Sequence, residues 1–148
     1  MNALIKQKVL DSFNQQKIMS TIGASIHDID TGRVEILLPF NEMLTQQHGF
    51  LHAGIAATIM DSACGYAALS TMPPEAGVLS VEFKVNLLAP ANGDRFKAVG
   101  TVIKQGKTII VTQGELFSLA GKENQENKLV ATMTATIMTI LGRENITH

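Results

Sequence analysis

Residues 52–72 read HAGIAATIMDSACGYAALSTM, and this stretch decides the fold. Between Glu42 and Glu75 the only formally charged side chain is Asp61. Pro73-Pro74 follow and stop a helix, because proline lacks the N–H and clashes with the preceding turn. A membrane span would need about 20 strongly apolar residues. Here Ala, Gly, Ser and Thr predominate, Asp61 sits near the middle, and no Lys or Arg flanks the run. It therefore reads as one long helix enclosed by protein, with no membrane partner.

Projected at about 100° per residue, Gly54, Thr58, Asp61, Gly65 and Ala68 share a face of small residues with one carboxylate in it. Ile55, Ile59, Met60, Tyr66 and Leu69 point elsewhere. Close packing explains the small residues. It explains Asp61 less well, since a carboxylate in an uncharged stretch carries a large desolvation cost unless something compensates it. A structural Asp bonded to backbone or Thr would satisfy that demand; an Asp lining a functional cleft accounts better for its isolation. His52 stands where the helix begins, and a helix start presents free N–H groups and positive dipole character. Ala53 and Gly54 leave those groups open to a ligand oxygen, which is what an oxyanion hole for acyl transfer requires. Gly49 keeps the preceding loop close to the same end.

His52 and Asp61 are nine residues apart. That is a half-turn offset and about 13 Å along a helix axis. If both serve one site, a single copy of the helix cannot build it. Two antiparallel copies can, because the start of one then meets the middle of the other, giving two sites in a two-fold dimer.

Outward from the helix, the chain alternates elements without repeat, linker or low-complexity tract. Residues 2–17 place Leu4, Ile5, Val9, Leu10 and Phe13 near one side and read as a short amphipathic helix. Residues 21–29 and 33–38 form a hairpin about Asp30-Thr31-Gly32, and 39–51 a loop with a helical turn at 41–44. After the helix the period changes to two: Val81, Phe83, Val85 and Leu87 alternate with Ser80, Glu82, Lys84 and Asn86, a half-buried strand. Residues 95–104 and 108–119 are strands joined through Gln105-Gly106, where glycine would supply a positive φ. Residues 121–127 read as a polar loop and 128–141 as a last long strand. One apolar helix with about six antiparallel strands implies an α+β fold, a curved sheet wrapped round one long central helix, with a short helix before it.

Composition narrows the function. At 148 residues the chain is a single domain, and 45% hydrophobic residues suffice for a core. A net charge of −1 argues against non-specific nucleic-acid binding. The lone Cys64 excludes a disulfide framework and a multi-Cys metal site, fits a reducing compartment, and reads as a packing thiol. Lys6, Lys8 and Asp11 interrupt the N-terminal segment, so a cytoplasmic location is expected. His27 and His48 have no partner that the sequence names, and no metal spacing or cofactor motif is present.

The string Gln47-His48-Gly49-Phe50-Leu51-His52-Ala53-Gly54, with Asp61 nine residues after His52, resembles the PaaI-like branch of the hotdog-fold acyl-CoA thioesterases. The resemblance extends over roughly residues 30–141, taking in the GVLSVEFKVNLLAPA strand and the KQGKT hairpin. It implies hydrolysis of an acyl-CoA thioester, without a cofactor, by a dimer or dimer of dimers. By position, Ala53 would supply the N–H that polarises the thioester carbonyl, with Gly54 beside it and His52 shaping that corner. Asp61, from the partner subunit, would be the nucleophile or the general base on water. Gln46 would hold the water or the carbonyl, and Ser80 would reach the acidic residue with its hydroxyl. Lys104 and Lys107 would meet the CoA phosphates, with Lys84, Arg95 and Lys97 as further cations. Two positions depart from the family pattern: Ala53 replaces the first glycine of a usual pair, and Gln46 stands where many relatives carry Asn. The competing classes are a non-catalytic acyl-CoA or small-ligand binding protein using the same groove, and a dehydratase acting on carrier-protein substrates, for which no matching motif is present.

Overall fold

A computed structural model describes residues 1–121 and 127–148. The polar loop expected at 121–127 falls largely outside the described residues. Helix α1 (Ala3–Gln15) is capped by the Asn2 side chain and breaks at Gln16 into a short second helix, α2 (Lys17–Ile22). The helix expected over residues 2–17 is α1; α2 follows it and takes residues 21–22 from the strand expected at 21–29, which starts only at Ser25. The buried side of α1 is Ile5, Val9, Ser12 and Phe13, and Leu4 is exposed. Strands β1 (Ser25–Asp30) and β2 (Arg33–Pro39) form the hairpin, followed by a 3-10 turn at Glu42–Leu44.

The long helix α3 (Ala53–Leu69) ends three residues short of Met72. The chain tightens there: Thr71 and Met72 donate backbone bonds three residues back, and the Ser70 and Thr71 hydroxyls bond the Ala67 and Ala68 carbonyls. Met72 precedes Pro73, and a residue before proline is pushed out of the helical region. Strands β3 (Gly77–Leu87), β4 (Arg95–Gln105), β5 (Ile109–Leu119) and β6 (Lys128–Ile140) complete one antiparallel sheet of order β1-β2-β4-β5-β6-β3.

The sheet curls round α3. Ile36, Leu38, Phe96, Leu116, Met133 and Ile137 face Ile59, Met60 and Ala63 in a continuous core. The approach is close because both partners are small. A Cβ on Gly100 of β4 would run into the Ala63 carbonyl, so that strand and helix meet backbone to backbone. Cys64 is buried against Gly114. Gly106, by contrast, is not among the glycines with positive φ; it is needed because a Cβ would strike the Ile109 carbonyl across the turn.

Two expectations about burial are corrected. α3 is not enclosed on every side: Gly54, Thr58, Asp61 and Gly65 form an open strip, and a Cβ on Gly65 would meet nothing. Ala68, grouped with that face, is fully buried, because the last turn is tied to the β1–β2 turn through the Gly32 N–H and Ser70 Oγ. Strand β3 is not half-buried. It lies at the sheet edge, paired among the described residues only with β6, and Val81, Phe83 and Leu87 are 56%, 45% and 61% exposed.

Its alternation is also broken. The register against β6 runs Ser80↔Ile137 and then Glu82↔Thr136, so Val81 is an extra residue in a bulge. Strict period two puts Ser80 on the outer face with Glu82 and Lys84. The bulge turns Ser80 to the inner face with Phe83, opposite the buried Ile137 and Ala135.

Candidate active site

The loop before α3 folds on itself. Thr45 pairs with Leu51, the Gln46 N–H bonds the Phe50 carbonyl, and Gly49 at φ +82° closes the turn onto the Gln46 carbonyl. The Gln46 side chain finishes the job: its Oε1 accepts from the His48 N–H at 2.5 Å and the Phe50 N–H at 3.3 Å. Its carbonyl is therefore spent on the loop, while its amide N–H groups have no partner among the described residues. The loop is also fastened to the sheet, through the Leu51 N–H on the Ala91 carbonyl.

His52 caps α3. Its backbone is extended (φ −61°, ψ 136°), and its Nδ1 accepts from the Gly54 N–H at 2.8 Å. Since Nδ1 accepts, the ring hydrogen of neutral His52 sits on Nε2. The cap uses the Gly54 donor, so Gly54 contributes an absence of bulk rather than an N–H. Ala53 keeps its donor: among the described residues its N–H bonds nothing. Ala53 lines a cavity of about 450 Å³ whose walls include Gln46, Phe50, Leu88, Leu116 and Val130.

Asp61 lies elsewhere. It is half-buried on the open strip of α3, and its Oδ1 accepts from the Ser80 hydroxyl at 2.6 Å. The other carboxylate oxygen has no hydrogen-bond partner among the described residues. Asp61 and Ser80 line a second cavity of about 240 Å³, shared with Gln16, Ser62, Tyr66 and His148. In one chain, then, Ala53, His52 and Gln46 gather at the start of α3, Asp61 and Ser80 gather at its middle, and the two groups border different cavities.

Lys104 and Lys107 join neither group. The β4–β5 hairpin sits at the far end of α3, where Gln105 Nε2 donates to the Thr71 carbonyl at 2.9 Å, and both lysines are exposed. Lys97 lies on the outer face of the sheet, 3.9 Å from Glu35 and over the Phe117 ring, and lines a groove with Arg95 and His27. His27 gains Glu35 as a neighbour at 3.9 Å, and His48 is exposed in the loop.

Three polar residues of the Asp61 cavity, Gln16, Ser62 and His148, escaped the sequence reading. Gln16 Nε2 donates to the Tyr66 hydroxyl at 2.7 Å, and Ser62 Oγ donates to Gln16 Oε1 at 3.3 Å. Tyr66 also shares a hydrogen with Ser12 at 3.1 Å, and burial pushes its phenol up from the usual value. Gln16 carries no motif; only the break between α1 and α2 turns it inward. Cys64 is pushed up to about 12 by burial and stays a protonated packing thiol.

With this geometry in hand, the comparisons with known proteins are consistent. The family described as the thioesterase superfamily matches residues 48–124. A thioesterase family protein from Silicibacter pomeroyi is 51% identical, with a TM-score of 0.89 over 93% of this chain and 99% of that one. The E. coli PaaI protein has the same fold at 22% identity, with a TM-score of 0.82 over 94% of this chain and 95% of that one. Human acyl-coenzyme A thioesterase 13 is 33% identical over 90 residues, covering 60% of this chain and 64% of that protein.

Proposed function

Because this chain belongs to the thioesterase superfamily, we propose that it hydrolyses acyl-CoA thioesters at sites built by two copies of the chain. The Ala53 N–H of one copy faces the Asp61 carboxylate of the other. The observation that carries this reading is the separation just described: the free donor and the free carboxylate oxygen border different cavities of one chain, yet lie along the same uncovered side of α3.

Three features support the pairing. The small residues Gly54, Thr58 and Gly65 let a second helix approach closely. Strand β3 leaves one edge unpaired among the described residues, with exposed Val81, Phe83 and Leu87 beside it, a surface suited to a second strand. Antiparallel helices would also bring the Lys104–Lys107 hairpin of one copy toward the α3 start of the other, where CoA phosphates would leave the site.

The thioester oxygen accepts from the Ala53 N–H, which stabilises the negative charge that develops on it. Asp61 takes a proton from water as the water oxygen bonds the carbonyl carbon. The tetrahedral intermediate then collapses, the C–S bond breaks, and the thiolate receives that proton. Alternatively the carboxylate itself attacks, CoA leaves, and water opens the mixed anhydride. In either course Ser80 orients the carboxylate and His52 holds the helix start through Gly54. The Gln46 amide N–H reaches the bound carbonyl or water.

Release of free CoA across a panel of acyl-CoA esters tests the reading. Asp61→Asn should lower turnover about 10²–10⁴-fold while acyl-CoA still binds. A protein that binds acyl-CoA and releases no CoA, or a well-folded Asp61→Asn variant with normal turnover, would overturn it.

A further inference from the structure

Resting on the thioesterase reading above, we propose that the cavity beside Asp61 receives the acyl end of the substrate. We further propose that Gln16 selects there for a short acyl group carrying an oxygen substituent. The cavity is a half-open recess. Tyr66, Ser62 and Val78, all buried, form its floor, and the turn between α1 and α2 closes one side with Gln16. The nucleotide of CoA must reach solvent, so the part of the substrate that lies against these buried residues, next to the attacking carboxylate, is the acyl end.

Size and polarity then define the group. An apolar protein cavity of about 150 Å³ holds benzene; at about 240 Å³ this recess matches a short or ring-sized acyl group. Its lining is polar for an acyl pocket. The amide of Gln16 offers two N–H donors and two acceptor positions. Tyr66 takes one donor and Ser62 occupies one acceptor position. One N–H and one lone pair remain, on a residue whose orientation Tyr66 and Ser62 fix. A plain hydrocarbon acyl group would leave them unpaired once water is expelled, whereas a hydroxyl or keto oxygen would satisfy them. The cavity beside Ala53 is walled mostly by apolar side chains such as Phe50, Leu88, Leu116 and Val130, with the Gln46 amide among them.

The test compares kcat/KM for 3-hydroxybutyryl-CoA, butyryl-CoA and palmitoyl-CoA. The native protein should favour the hydroxyacyl ester over butyryl-CoA by about tenfold or more, and palmitoyl-CoA least. Gln16→Leu should bring the hydroxyacyl-to-butyryl ratio close to one, and Tyr66→Phe, which frees the Gln16 amide to turn, should lower it part of the way. A ratio unchanged in Gln16→Leu overturns the proposal, including when both activities fall together, which would mark Gln16 as structural. Preference for palmitoyl-CoA also overturns it and places the acyl chain beside Ala53. Calorimetry of the two short esters on Asp61→Asn gives the same ratio as affinities. Discrimination there, with no ester hydrolysed by the native protein, would refute the hydrolase reading and uphold this pocket.

Discussion

Ala53→Pro removes one backbone hydrogen from the start of α3 and little else. Proline is accepted at the first helical position, where the N–H has no partner inside the helix. The residue before a proline must be extended, and His52 already is, at φ −61° and ψ 136°. The Ala53 N–H bonds nothing among the described residues, so the fold loses no hydrogen bond. Stability should therefore hold or rise by about 0.4–1 kcal/mol, which is a few degrees in Tm for a chain this long. Activity should not hold. Deleting one oxyanion donor costs about 10²–10³ in kcat, or about 2.7–4 kcal/mol of barrier. The assay is steady-state CoA release with Tm measured on the same preparation. Mixing adds a second readout. Ala53→Pro and Asp61→Asn chains, each nearly inactive alone, should regain activity when unfolded and refolded together. Half of the dimers then carry one chain of each kind, and each of these has one intact site of two, so the mixture should reach about a quarter of native activity. A folded Ala53→Pro variant with native kcat would refute the donor. A mixture that regains nothing would refute the two-chain site.

Ser80→Ala removes the hydroxyl at 2.6 Å from Asp61 Oδ1. Solvent partly replaces that bond, so kcat should fall about tenfold, the low end for a bond to a charged group, with KM nearly constant; an unchanged kcat would remove Ser80 from the site. Lys104→Glu with Lys107→Glu should raise KM for CoA esters more than it lowers kcat and flatten the salt dependence of kcat/KM, because both lysines lie far from the reacting carbon. An unchanged KM at low salt would count against them. Cys64 supplies a pH signature: its thiol is pushed up to about 12 in the fold, against 9.0 when free. From pH 9 upward the unfolded chain releases this proton and the folded chain keeps it. Stability should fall there by at most about 1.4 kcal/mol per pH unit, and Cys64→Ala should fall less steeply. Equal slopes in urea titrations would show that the thiol plays no part.

Much of the fold was readable because its signals are local. Pro73-Pro74 marks the end of α3 to within one turn, and Thr31-Gly32 and Gln105-Gly106 mark two hairpins. The change of period after residue 77 separates helix from sheet. The isolation of Asp61 and the small side chains after His52 single out the two poles of the candidate site, since an unpaired charge and a missing side chain are visible one residue at a time.

Other features depend on what each residue meets across the molecule. The bulge that turns Ser80 toward Asp61 is a matter of register with β6, and Ser80-Val81-Glu82 carries no mark of it. The exposure of β3 follows from its place at the sheet edge, where the alternation Phe83, Val85, Leu87 finds no covering helix. Gln46 looked free until its carbonyl proved to hold the Gln46–Phe50 loop, and Gln16 entered the Asp61 cavity only because α1 and α2 break beside it. The sequence by itself determined, α2 apart, which segments become helix and strand and which residue types gather around α3, because backbone preference and hydrophobic period act over a few residues. Tertiary structure decided which hydrogen-bonding groups are spent and which remain free, because that depends on the partner the folded chain brings up, whether two residues away, as His48 to Gln46, or fifty, as Tyr66 to Gln16.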